Sequence, residues 1–208
     1  MREFHIELKE EISMFPFKRV VLALGAVLIP AFSWAAQFSI DPAHSAVIFK
    51  VKHLSISTVT GRFEKFSGTF DFDGQGIKSS KVEAVITAAS INTDVSKRDE
   101  HLRSADFFDV EKYPELKFVS KGVKDVKKNK FKILGDLTMH GVTKPVVLDA
   151  EFGGEVKDPW GNTRVGFNAA TKINRKEYGL TYGKALETGG LVVGEEVTII
   201  LEIEGIKK

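Results

Sequence analysis

The chain has no cysteine, and that absence excludes thiol nucleophiles, thiolate metal sites, redox dithiols and disulfides. An excess of one charge is lacking too. Lys and Arg number 30 against 28 Asp and Glu, a net charge of +2, so no nucleic-acid partner is expected. The densest basic run, Lys124, Lys127, Lys128, Lys130 and Lys132, reads as a solvated hairpin tip, with contact to anionic lipid as the alternative. No apolar run reaches the ~20 residues that span a bilayer as a helix. Metal-ligand spacings such as H-x-H or H-E-x-x-H are missing around His44, His53, His101 and His140, which leaves a metal site with weak support. A G-x-S-x-G elbow is missing as well. Neighbouring carboxylates such as Asp71/Asp73 and Glu202/Glu204 read as wet strand faces, so no enzyme is expected.

The longest apolar run has an ordered context. Lys18 and Arg19 lead into Val20–Phe32, and Ser33-Trp34-Ala35 supplies small residues before Ala36. Charged, apolar and cleavage parts in that order predict a secretory signal peptide over residues 1–35, cut near Ala35/Ala36. A retained membrane anchor is the alternative. Met1–Ser13 carries Glu3, Glu7, Glu10 and Glu11, the wrong charge for a leader, and translation is expected to start at Met14. The processed domain would be residues 36–208, the size of one domain, in the periplasm or secreted.

Phenylalanine is what this chain has in abundance. Of its 16 Phe, Phe4, Phe15, Phe17 and Phe32 precede residue 36, and the rest must be buried or lie against something apolar. They fall into period-two alternation. Val47, Phe49 and Val51 oppose Lys50 and Lys52; Phe66, Gly68, Phe70 and Phe72 oppose Ser67, Thr69 and Asp71. Similar alternation runs through Val82–Ala88, Lys117–Lys121, Phe131–Met139, Val146–Phe152, Val165–Thr171 and Val197–Ile203. Turn residues fall between the runs: Asp73-Gly74-Gln75-Gly76, Val126–Lys130, His140-Gly141, Gly153-Gly154, Trp160-Gly161-Asn162 and Gly189-Gly190. About eight evenly spaced strands predict an all-β antiparallel barrel or sandwich. One charged segment breaks the rhythm. Ser96–Ser104 reads as a short helix capped by Asp94 or Ser96, with His101 tying it to the barrel rim through Arg98 or Asp99. The adjacent Phe107 and Phe108 are expected to dock at the barrel mouth or its side.

Four stretches carry a resemblance. Asp41–Phe49 (DPAHSAVIF) running on to Val51, His53 and Leu54, the step Thr60-Gly61-Arg62-Phe63, Arg98–Phe118 (RDEHLRSADFFDVEKYPELKF) and Gly135–Val146 (GDLTMHGVTKPV) together resemble the YceI-like family, over nearly the whole of residues 36–208. The resemblance implies an extended eight-stranded antiparallel lipocalin-like barrel with one short helix. It also implies export, and a polyisoprenoid or similar long amphiphile held in the lumen. No cofactor is implied beyond a bound polyprenyl lipid or isoprenoid quinone. A solid-core structural or stress-response interaction protein, and a lipid-modifying enzyme, stay open as alternatives.

The face assignments give candidate lumen residues: Phe49, Val51, Phe70, Phe72, Ile86, Phe118, Leu137, Leu148 and Phe167, with Ser120 as a luminal hydroxyl. Gly68, Ala84, Ala88, Gly135, Ala150 and Ala169 would leave room for a tail, or else let Phe rings interlock in a filled core. Phe107 and Phe108 are lid candidates. Arg175, Tyr178 and Tyr182 are candidates for a ligand head group, through phosphate, carboxylate or quinone oxygen, with loop packing as the alternative. The expected partner is a long-chain hydrophobic small molecule. Transient membrane contact and a homodimer are compatible with this reading.

Overall fold

A computed structural model describes residues 36–72, 81–183, 185 and 190–208, all in the second of two compact units, Ser33–Lys208. The expected leader over 1–35, the turn at 73–76 and Gly189 lie outside the described residues.

Eleven strand segments form one antiparallel sheet: β1 (Ala36–Ile40), β2 (Ala46–His53), β3 (Ser57–Phe63), β4 (Phe66–Phe72), β5 (Val82–Thr87), β6 (Ile91–Asn92), β7 (Glu115–Lys127), β8 (Lys130–Met139), β9 (Val142–Lys157), β10 (Thr163–Asn174) and β11 (Val193–Lys207). The ring runs β1-β4-β5-β7-β8-β9-β10-β11 and closes because β11 also pairs with β1. The first six segments combine into three long, broken strands. β1 and β2 both line one edge of β11, at Gly205–Lys207 and Val193–Glu202 respectively. β3 follows β2 as β4 follows β1, and β5 and β6 flank the other edge. The result is the expected closed eight-stranded barrel, which removes every open edge along the ring.

The breaks have physical causes. Between β1 and β2 the segment Asp41–Ser45 leaves the ladder and is stapled to Glu204. The Asp41 N–H donates to the Glu204 carbonyl at 2.8 Å, and the Glu204 N–H donates to Ser45 Oγ at 2.9 Å. Gly153-Gly154, read from sequence as a turn, lies inside β9. Phe152 pairs with Phe167 and Gly154 with Gly166, which leaves Gly153 as a β-bulge. His140-Gly141 is the two-residue hairpin turn expected, with φ of 51° and 74°.

The helix α1 (Ser96–Arg103) forms where expected but is held differently. Neither Asp94 nor Ser96 caps it; the N-cap is Val95, without a side-chain bond. Asp99 instead reaches back to accept from the Thr93 N–H at 2.9 Å and Thr93 Oγ1 at 2.6 Å, and both residues are buried. The tie to the barrel is Arg103, which donates to the Ala89 and Ile91 carbonyls at 2.8 Å each. His101 bonds Asp106 at 2.9 Å and packs against Phe107 and Tyr182.

Candidate functional site

The inward faces of the strands enclose a cavity of about 230 Å³, far beyond the roughly 15 Å³ that one water needs. Alternation puts it there: Val47, Phe49 and Val51 of β2, Val82, Ala84 and Ile86 of β5, and Val197, Ile199, Leu201 and Ile203 of β11 all line it. Among its lining residues only Thr171 and Arg175 carry polar side-chain atoms. Such a surface recognises hydrocarbon and repels anything strongly hydrated.

One end of the barrel is closed by rings. Phe38 stacks on Phe70 at 5.4 Å and meets Phe72 edge-on; Phe72 in turn packs on Phe152 at 5.1 Å and Phe167 at 5.5 Å. Phe131 joins through Phe167. Phe38, Phe70 and Phe72 are nearly inaccessible, as is Val165 beneath them. These offset and edge-to-face contacts form an aromatic floor. The other end carries α1 and the segment after it. Phe108 meets Phe63 edge-on at 5.8 Å, Phe107 is buried beside Tyr182 at 4.7 Å, and both line the cavity with Leu102 and Leu180.

The candidate residues divide accordingly. Phe49, Val51, Phe70, Ile86, Phe118, Leu137, Leu148 and Phe167 line the cavity, as do Phe107 and Phe108. Phe72 does not; it belongs to the floor. Ser120 is not a luminal hydroxyl: its Oγ accepts from the Val82 N–H at 2.7 Å and extends the β5–β7 ladder. Tyr178 is 2% exposed within the core and off the cavity wall, and desolvation pushes its phenol up to about 12. Tyr182 meets His101 edge-on and Phe107 at a tilt and is not among the cavity-lining residues. Arg175 alone of the head-group candidates reaches the cavity.

The small residues also sort into two kinds. Ala84, Ala150 and Ala169 line the cavity. Glycines are instead covered by neighbouring side chains. A Cβ on Gly135 would lie 2.4 Å from Phe118 Cζ, one on Gly61 2.3 Å from Phe49 Cζ, and one on Gly205 2.3 Å from Phe70 Cζ. Gly68 faces Ile40 Cδ1 and the Glu83 carbonyl. Phe118, Phe49 and Phe70 therefore pack directly over glycine backbone, where any side chain would displace them.

Sequence reasoning missed a polar cluster on the outside. The Arg164 guanidinium bonds Asp41 at 2.8 Å, Asp158 at 2.7 Å and Glu204, while His44 Nδ1 meets Asp41 at 2.8 Å. The bonds from His44 and then Arg164 hold the Asp41 carboxyl down to about 2, and Arg164 holds Asp158 well below the carboxylate range. Asp41, His44 and Glu204 are close enough to ligate a cation, yet the guanidinium already sits between the two carboxylates. The cluster fastens the β1–β2 break to β10 and β11. The only sequence signal was Asp41 two residues before Ala43, an Asx-turn whose N–H bond measures 3.0 Å.

Comparison with known proteins agrees with this architecture. A family profile described as the YceI-like domain matches residues 38–205. A UPF0312 protein of Pseudomonas putida strain GB-1 is 41% identical over 190 residues, which cover 90% of this chain and 95% of that one. The crystal structure of the Campylobacter jejuni YceI protein is 36% identical with a TM-score of 0.66, over 76% of this chain and 90% of that one. A polyisoprenoid-binding domain from Saccharophagus degradans, implicated in plant cell wall breakdown, shares the fold at 16% identity, with a TM-score of 0.60 over 84% of this chain and 99% of that one.

Proposed function

We propose, from the premise that this chain belongs to the YceI-like family, that it is an exported carrier whose barrel shields the tail of a long amphiphile from water. The observation that carries this reading is the apolar cavity of about 230 Å³, floored by Phe rings at one end and roofed by Phe107 and Phe108 at the other. An apolar void of that size forgoes about 5.5 kcal/mol, at ~24 cal/mol per Å³. That is a large share of the ~5–15 kcal/mol by which a domain is stable. A tail that fills the space recovers dispersion contacts and gains about 0.8 kcal/mol per buried CH₂. From Phe167 to Asn174, β10 advances roughly 23 Å at ~3.3 Å per residue, a length suited to a long single chain. Prenyl lipids, isoprenoid quinones and fatty acyl amphiphiles all meet that description. A fold neighbour described as polyisoprenoid-binding supports the class, and the leader read over residues 18–36 supports a destination outside the cytoplasm.

Binding requires no covalent chemistry from the wall residues. The test is titration of the processed protein with an environment-sensitive alkyl fluorophore, followed by competition with prenols of increasing length. Saturable one-to-one uptake whose affinity rises with tail length is expected. Absence of saturable uptake would overturn the proposal. Trp160 is 81% exposed on a turn, so an extrinsic probe is the appropriate reporter.

A further inference from the structure

The base of the barrel, where the aromatic floor lies, carries two hairpins that the carrier reading does not use. The β7–β8 turn sits at the level of the floor: the Asn129 carbonyl accepts from the Phe152 N–H at 2.7 Å, and Phe131 packs on Phe167. β9 continues past Phe152 to Lys157 before turning into β10, so the second hairpin projects further. Trp160 at its tip is 81% exposed, and Val156 on its flank 62%. The tip is nonetheless well tied. The Asp158 carboxylate accepts from the Trp160 N–H at 3.0 Å, the Asn162 N–H at 2.8 Å and Arg164 Nε at 2.7 Å, while the Asp158 N–H donates to the Asn162 carbonyl at 2.8 Å. A tryptophan couples a large apolar face with a polar N–H, the character of a side chain that sits where oil meets water.

Positive charge gathers at the same end, where Lys207 lies opposite Phe38 of the floor. Lys124, Lys127, Lys128, Lys157 and Lys207 are exposed. Among the described residues they have no ion-pair partner, since Glu151 and Asp149 are taken by Lys130 and Lys132. Arg164 engages Asp41, Asp158 and Glu204, which leaves Asp125 and Glu155 as the described exposed acids that oppose the lysines. We propose that this end docks on an anionic lipid bilayer, with Trp160 at head-group depth and the lysines against lipid phosphates. The composition favours a bilayer over a protein partner. Tryptophan prefers the membrane–water boundary, and lysine is drawn to anionic lipid. Protein interfaces are depleted of lysine, and one ring with one valine offers too little apolar surface for them. Docked so, the barrel turns its helix-bearing end away from the lipid. The docking does not depend on what the lumen holds.

Trp34 lies in the expected leader, so the processed protein has Trp160 as its single tryptophan, and its emission reads the contact directly. Flotation with phosphatidylcholine vesicles, with and without phosphatidylglycerol, should recover roughly tenfold more protein on the anionic ones, and added salt should erase the excess. On anionic vesicles Trp160 emission should shift to the blue and be quenched by brominated lipid. Lys127→Glu combined with Lys128→Glu should lower partitioning roughly tenfold, and Trp160→Ser should lower it too. These side chains are exposed, so an unchanged Tm is expected of both variants. Equal recovery on both vesicles, or recovery on neither, overturns the proposal. Anionic binding with unshifted Trp160 emission overturns the assignment to this end. Retention on a soluble polyanion such as heparin without vesicle binding assigns the lysines to an acidic macromolecule and overturns it as well.

Discussion

Ala169 sits in register between Leu201 of β11 and Ala150 of β9, with its methyl group on the cavity wall. Ala169→Leu adds three carbons that point into existing space. At about 0.8 kcal/mol per buried carbon, the gain is a little over ~2 kcal/mol if the rotamer fits without strain. For a domain of this size that corresponds to a rise in Tm of roughly 4–8 °C. The same three carbons take volume that a tail needs, so uptake of an alkyl fluorophore should weaken at least tenfold. Stability and binding therefore move in opposite directions, which a merely damaged protein would not show. Differential scanning calorimetry of the ligand-free protein and fluorophore titration read the two arms. A lower Tm with unchanged uptake would refute the reasoning, because it would mean that Ala169 faces packed atoms and not a cavity.

Other perturbations follow from the same geometry. Gly135→Ala forces the Phe118 ring off the wall and should cost about 1–3 kcal/mol by overpacking, measurable by urea unfolding. Phe72→Ala removes the centre of the floor and should cost about 3–5 kcal/mol, while an alkyl probe gains length tolerance. Asp41 is lowered from its ordinary 3.8 to about 2, and Asp158 is lowered too. Folded-state values below unfolded ones give stability that is present above pH ~4 and lost as pH falls through ~2. Arg164→Met should flatten that acid limb in urea titrations run between pH 5 and 2.

Much of this architecture was legible in residue alternation, because a barrel strand has one wet and one dry face and each substitution of side shows as a change of period. Val47, Phe49 and Val51 could be placed inward from Lys50 and Lys52 alone. What stayed hidden depends on register, which no single strand reveals. Phe118 over Gly135 and Phe70 over Gly205 join residues that are neighbours only once strands pair, so the sequence left open whether Gly135 made room for a tail or let rings interlock, and pairing shows that it seats a ring. Gly153 looked like a turn because a bulge and a turn use the same residue. Arg175 could be named a candidate from its type, but its three carbonyl partners come from segments up to 19 residues away, and nothing local announces them. Ser120 shared a face with Phe118, yet an unpaired N–H at the start of β5 claimed its hydroxyl.

The aromatic floor has a consequence for traffic. Among the described residues, Phe38, Phe70, Phe72, Phe152 and Phe167 pack across the base of the barrel, so on the carrier reading a tail would enter from the helix-bearing end. On that reading, loading and unloading would use the same rim. A carrier of this shape would reload and unload by turning over between contacts, not by passing a chain straight through.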